Sequence, residues 1–383
     1  METLSYPLHL RVSALALLVF ALTAAAGQSS HPAAGDADEH MRRGVDAQQH
    51  GDVKAAIEEY RKALAMRPRF PEARANLGAA LAAVGDFDGA IREDRLAMEN
   101  APDKVAVRKN LALAYYKKGD CEHAAVEFDA VHAARPGDLG ATMLLGYCEL
   151  KLNRAEKAVT LLEPLEQANQ NDPDFEYVLG SALIQTGKEA EGAPRMERVA
   201  RTTRSAEAYV IAGSARLSLR QFKDARADLD AALELDTQIP GLYTMAGQAR
   251  DALGDTEAAQ QAFEAALRAD VRDPMANLYL GAILLKKREV EKAEPLLTLA
   301  LQLQPENRHA RLQMAKLDAM QGKNAEAVAL LEALEKADPN WLEPHVELAP
   351  LYYKLHRGED GQRERKIVDD IQAKQQEAGP PKD

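Results

Sequence analysis

One residue pattern returns about every 34 residues, ten times over, from about Ala37 to about Ala378. A frame begun at Ala37 and stepped by 34 places Gly44, Gly78, Ala112, Gly146 and Gly180 at position 8 of successive units. Restarted one residue early at Ala206, it continues with Gly213, Gly247, Gly281, Ala315 and Ala349. Position 20 reads Ala56, Ala90, Ala124, Ala158, Gly192, Ala225, Ala259, Ala293, Ala327 and Gly361. All twenty are Ala or Gly, more than an alanine-rich composition supplies by chance. Antiparallel helices approach closely only where facing side chains are small. Positions 8 and 20 therefore mark the crossing of a helix A with a helix B in each unit. Larger apolar residues surround the crossing: Leu77, Leu111, Leu145, Leu179 and Leu280 at position 7, and Tyr60, Phe128, Leu162, Leu229, Phe263, Leu297 and Leu331 at position 24. A stack of such units buries one long core, and stacks of this kind usually hold partners rather than perform chemistry.

Turn chemistry agrees with the frame. Gly51-Asp52, Gly85-Asp86, Gly119-Asp120 and Gly254-Asp255 fall between the helices, with Gly ending helix A in the left-handed region and Asp capping helix B. Pro68, Pro102, Pro136, Pro305 and Pro339 fall at position 32, where helix B must stop. Pro71, Pro173, Pro240 and Pro274 fall at position 1, where a first-turn proline is tolerated. The pattern is irregular in the middle. Pro164 interrupts helix B of the fourth unit, Asn169-Gln170-Asn171-Asp172-Pro173 replaces a tight turn, and the frame slips near Thr202–Ser205. A bend is expected between about residues 163 and 206, separating units 1–4 from units 6–10. Pro350 is expected to disturb helix A of the last unit. The end units read as caps with a wet outer face. His40 and Arg43 replace apolar residues in the first, and Gly361 and Arg365 lie within the polar run Arg357–Lys366 of the last. Ile367, Val368 and Ile371 leave that last helix one apolar stripe.

This pattern resembles the tetratricopeptide repeat family over roughly 340 of the 383 residues, with units starting near residues 37, 71, 105, 139, 173, 206, 240, 274, 308 and 342. The resemblance implies an all-α fold, an α-solenoid whose antiparallel helix pairs form a right-handed superhelix. It also implies a non-enzymatic scaffold that binds a peptide or amphipathic helix of another protein on its concave face. Positions 2, 5, 9, 12 and 13 face that side in the family. They yield the candidate anchors Met143, Tyr147, Leu150, Tyr177, Ile184, Val210, Leu217, Met275, Leu278 and Leu285, edged by Lys151 and Lys286. The stripe is either an exposed binding surface or ordinary core hidden by tight curvature. Lys109 matches the lysine of the family's carboxylate clamp, but Leu113 stands where the clamp has asparagine. Asn76 and Asn110 resemble the start of a peptide-binding asparagine ladder that stops at Leu144. Arg216 and Arg250 share position 11, reading either as cations aimed at an acidic partner or as internally paired residues.

Val12–Ala26 is an uncharged, mostly apolar run after Arg11, ending in Ala24-Ala25-Ala26. It suits a cleaved signal peptide (residues 1–26) and is short for a membrane span, which needs about 20 residues. The expectation is an exported chain, periplasmic or extracellular, with no integral span after processing, and of bacterial type. Residues 27–36 read as a flexible lead-in and 379–383 as a disordered tail. The net charge of −12 argues against nucleic acid or an anionic membrane as main partner. Cys121 opens helix B of unit 3 and Cys148 sits near the end of helix A in unit 4. Their neighbouring helices are compatible with a disulfide or with two separate small buried side chains. The chain contains no phosphate loop, dinucleotide fingerprint, HExxH or nucleophile elbow. His123, His132 and Cys121 lack the spacing of three or four that places ligands on one helix face. No catalytic, cofactor or metal residue is therefore expected, and no enzyme. An accessory subunit of an envelope secretion, polysaccharide-export or outer-membrane assembly complex is the alternative reading.

Overall fold

The computed structural model describes residues 32–377. The signal-peptide reading, residues 27–31 of the lead-in and the tail lie outside them. The chain divides into two compact bodies, one through Ala215 and one from Arg216. The first holds α1 (Pro32–Gln49), α2 (Val53–Met66), α3 (Pro71–Ala83), α4 (Phe87–Met98), α5 (Lys104–Lys118), α6 (Cys121–Ala134), α7 (Leu139–Lys151), α8 (Ala155–Leu162), α9 (Glu166–Asn169), α10 (Pro173–Gln185), α11 (Glu189–Thr203) and most of α12 (Ala206–Ser218). The second holds the end of α12, then α13 (Phe222–Leu235), α14 (Leu242–Ala252), α15 (Thr256–Ala269), α16 (Pro274–Lys286), α17 (Val290–Leu303), α18 (Arg308–Met320), α19 (Asn324–Ala337), α20 (Leu342–Lys354) and α21 (Gly358–Glu377). No strand occurs among the described residues. Each body is an α-solenoid in which most helices pack mainly on their neighbours in sequence.

The turns follow their residues. Gly51, Gly85, Gly119 and Gly254 have φ between +81° and +86°. The aspartate after each accepts a hydrogen bond from a backbone N–H of the next helix's first turn: Ala55, Gly89, His123 and Ala258. Pro71, Pro173 and Pro274 start their helices. Pro240 does not. Gly241 takes φ +75°, and α14 begins only at Leu242. The frame slip is a shortened link, because Arg204 and Ser205 alone join α11 to α12. Arg204 takes φ +54°, and the Ser205 hydroxyl accepts from the Ala208 N–H.

Three sequence expectations need correction. Residues 32–36, read as lead-in, already belong to α1. Pro164 does break helix B of unit 4 into α8, a 3₁₀ turn at Glu163–Leu165 and α9. α8 nevertheless stays packed on α10, and the division between bodies falls later, within α12. Pro350 leaves α20 continuous from Leu342 to Lys354. Pro350 and Val346, whose carbonyl loses its donor, both face solvent, so water satisfies the freed group. Pro194 and Pro295 sit inside α11 and α17 in the same exposed way.

The crossing has a finer structure than small-on-small contact. The position-24 side chain lies on the bare backbone at position 8 of its own unit. A Cβ at Gly247 would come within 2.6 Å of the Phe263 ring, and one at Gly281 within 2.7 Å of Leu297. In the second unit the residue at that place is Asp94, lying on Gly78. Asp94 is 1% exposed and neither carboxylate oxygen has a hydrogen-bond partner. Burial, with a smaller contribution from Glu93, pushes its carboxyl well above the usual carboxylate range. A carboxyl that holds its proton in the fold but loses it when unfolded stabilises fully below about pH 4, and that contribution is lost as pH rises through the folded value. Asp94→Leu, which reproduces the Leu297–Gly281 arrangement, should raise stability near pH 7 by about 1–3 kcal/mol. It should also flatten the decline in melting temperature between acid and neutral pH. An unchanged or lower melting temperature at neutral pH would refute this account of Asp94.

Candidate functional site

The end of α5, the start of α6 and the end of α7 enclose an open depression of about 620 Å³ in the first body. Its wall is built from Tyr116, Lys117, Gly119, Asp120, Cys121, Glu122, Tyr147, Lys151 and Leu152. The repeat explains why these meet. Helix A of unit 3 ends at a left-handed Gly119, Asp120 caps helix B, and helix A of unit 4 passes alongside.

Two tyrosines form the apolar part. The Tyr116 and Tyr147 rings meet edge to face at 5.6 Å, a favoured aromatic arrangement. The Lys151 ammonium lies 5.6 Å from the Tyr147 ring centre. Desolvation raises the Tyr116 phenol and pushes the Tyr147 phenol up to about 12. Both therefore remain neutral donors at physiological pH. Tyr177, half-buried, continues the stripe onto α10, and its phenol is raised by burial too. Such a surface can take an apolar side chain against the paired rings, hydrogen-bond an acceptor, and meet a negative group at Lys151.

The thiols add a reactive edge. Cys121 is the first residue of α6 and packs against buried Cys148 of α7; both are free thiols. The hydrogen bond from Cys148, aided by the Lys151 charge, lowers the Cys121 thiol to about 7, whereas the Cys121 contact and burial push Cys148 far up.

The structure sorts the sequence candidates. Tyr147, Tyr177, Ile184, Leu217 and Met275 are half-buried with part of each side chain accessible. Met143, Leu150, Val210, Leu278 and Leu285 are buried and cannot act as exposed anchors. Met143 and Leu150 lie in the core that α7 shares with α8 and α10, because the next unit stacks over them. Asn76 is buried too, donating weakly to the Met41 sulfur at 4.0 Å, so it does not present its amide to a peptide. Asn110 remains half-buried. Lys109 pairs with Asp138 at 2.6 Å and so serves the fold, while Lys151 and Lys286 are exposed. Arg216 pairs with Asp228, and Arg250 with Asp230, which places both position-11 cations in internal ion pairs. The sequence reading missed Tyr116, Asp120 and Cys121 as one wall. Tyr116 stands at position 12 of its unit, one of the groove positions the repeat assigns, so that signal was present.

The comparisons with known proteins agree with this architecture. Two models described as Tetratricopeptide repeat match residues 177–240 and 244–308, and residues 115–182 and 284–362. A third, described as TPR repeat, matches residues 49–85. The chain belongs to the tetratricopeptide repeat family, whose fold is that of a protein–protein interaction scaffold. The crystal structure of the APC/C hetero-tetramer Cut9-Hcn1 is similar at a TM-score of 0.51 and 10% identity, covering 88% of this chain and 93% of that one. A tetratricopeptide repeat protein from Parabacteroides merdae ATCC 43184 matches at 0.46 and 16% identity, covering 65% of this chain and 99% of its own. YrrB, described as a TPR protein with an unusual peptide-binding site, matches at 0.39 and 25% identity over 47% of this chain and 94% of its own. No curated protein matches the chain. Among the described residues, no helix is long and apolar enough to cross a membrane.

The thiol geometry gives a direct test. In the native protein, iodoacetamide should label Cys121 at a rate that rises through about pH 7 and leave Cys148 unlabelled, because only the thiolate reacts. Cys148→Ala should move that inflection upward further than Lys151→Gln, since the hydrogen bond is the larger cause. Equal labelling of both thiols, or an inflection near the ordinary value of about 8.5, would contradict the assignment.

Proposed function

We propose that this chain is an exported, non-catalytic scaffold that captures a peptide or amphipathic helix of a partner protein at the Tyr116–Tyr147 depression. The observation that carries the reading is the aromatic pair itself. Two half-buried tyrosines at the edge of the core face an open depression beside an exposed lysine. An apolar side chain of the partner packs against the paired rings, and an acidic group on the same segment meets Lys151. Tyr177 and Ile184 extend the contact along the first body, half-buried and packed against the core around Met196 and Val199. The partner segment is therefore expected to carry spaced apolar residues and a carboxylate. Export rests on the apolar run Val12–Ala26 and its small-residue end.

The test is photocrosslinking in live cells from a reactive residue replacing Tyr147, with mass spectrometry of the adduct. Val126, exposed on α6, is the control position. One dominant protein adduct at Tyr147 and none at Val126 is the expected result. The double change Tyr147→Asp and Ile184→Asp should weaken capture of that partner at least about tenfold, a loss of about 1.4 kcal/mol, with helicity unchanged by circular dichroism. Adducts at Val126 only, or capture that survives the double change, would move the binding surface elsewhere.

A further inference from the structure

In four units position 4 of helix A meets position 23 of helix B in a polar contact that varies in an informative way. Arg74 pairs with Glu93 at 2.6 Å, Arg108 with Glu127 at 3.2 Å, and His40 with Glu59 at 2.7 Å. In these three units the helix A basic group meets a single carboxylate, Glu59 also receiving Lys62, and both partners remain partly accessible. The last unit repeats the pairing as His345 and Glu364 at 2.7 Å, but here the side chains are only 1% and 3% exposed. A third group joins them from the unit before. Glu335, near the end of α19, brings a carboxylate oxygen so that one ligand atom from each of the three residues lies within 4.8 Å of the others. No other group of three such ligands converges among the described residues.

Two facts set this cluster apart from an ion pair. Its charge does not close, because two carboxylates face a single imidazole in a largely dry site. Arg363 is paired with Asp360 and acts on Glu335 only through its charge, against which Glu332 adds a further negative group. The imidazole is also held in a specific way. Its Nε2 lies 3.0 Å from the Pro339 carbonyl oxygen, so Nε2 carries a proton and donates it there. Nδ1 shares a proton with the Glu364 carboxylate at 2.7 Å, with Glu335 beside them, and an ion binding there would displace that proton to solvent. A metal-ligating histidine is commonly fixed in this manner, with its remote N–H held by a backbone carbonyl.

We propose that Glu335, His345 and Glu364 form a binding site for a zinc-class divalent transition-metal ion that ties α19, α20 and α21 together. One neutral imidazole and two carboxylates neutralise a doubly charged ion, and the nitrogen donor favours this class over calcium or magnesium. Zinc–ligand bonds of about 2.0–2.2 Å put tetrahedral donor atoms about 3.4 Å apart. That separation lies between the 2.7 Å Nδ1–Oε2 contact and the 4.8 Å limit, so side-chain rotations suffice to seat the ion. Glu335 is the half-exposed member, leaving that side open to a water as the fourth ligand. The ion would clamp the last helix, whose sequence buries only Ile371 among its three apolar-stripe residues.

The test uses the full chain, stripped with a chelator and titrated with zinc chloride by calorimetry, with cobalt(II) absorbance as a second probe. One equivalent should bind, tetrahedral cobalt bands should appear, and the melting temperature should rise with zinc. Glu335→Gln should weaken binding at least about tenfold and His345→Gln should abolish it, while His40→Gln leaves it unchanged. His345 is buried, and its replacement risks loosening the cap. Glu335→Gln, on the accessible side, is the deciding variant, with circular dichroism confirming its fold. No one-equivalent binding below about 100 μM, or binding indifferent to Glu335→Gln, would overturn the site and leave a proton-sharing pair.

Discussion

The whole chain depends on how closely two helices can lie when one of them carries no side chain at the crossing. Where position 8 is glycine, the ring or branched chain at position 24 rests on bare backbone, as Phe263 does on Gly247 and Leu297 on Gly281. The contact trades a missing Cβ for a fully buried large side chain, and apolar burial of about 25 cal/mol per Å² makes that favourable. Tyr60, Phe128, Leu162, Leu229, Phe263, Leu297 and Leu331 are all fully buried. Asp94 breaks the rule at one unit and retains the geometry, which shows that the backbone approach is set by the repeat and not by any single apolar residue.

Because each pair is held internally, polar groups can vary at the contacts between helices without altering the stack. Position 4 with position 23 holds arginine with glutamate in two units and histidine with glutamate in the two end units. Position 11 holds Arg216 and Arg250, each satisfied by an aspartate on a nearby helix B, and also the buried Glu149, which receives Lys157 at 2.8 Å. Such contacts are worth little where they are exposed, so they are free to drift, and this freedom is where function-bearing clusters can arise.

The frame, the turns and the helix pairing were legible in the sequence because each rests on local chemistry: glycine at positive φ, aspartate capping, and small residues at a fixed period. Prolines were legible only in part. Pro164 ended a helix and Pro350 did not, although each proline and the residue four before it face solvent. Among the groove candidates, the face was readable but the depth was not. Met143 and Tyr147 stand one turn apart on α7, yet Met143 lies within the core shared with α8 and α10 while Tyr147 packs at its edge and reaches the surface. The burial of a position in a stack is decided by the neighbouring unit, which no pattern within one unit encodes. The same holds for Glu335, which reaches the His345–Glu364 pair of the next unit only through stacking.

The link between α11 and α12 is only Arg204 and Ser205, with Arg204 already bent into the left-handed region. Two residues supply about 7 Å of contour, whereas the link from Asp236 to Gly241 supplies about 20 Å between α13 and α14. A chain pulled from its ends cannot take up length at Arg204 until helix unwinds, each residue lengthening from about 1.5 to about 3.4 Å. Under tension the load at this joint therefore passes directly into the helix packing around Met196 and Ala212, and slack in the connecting chain contributes nothing to it.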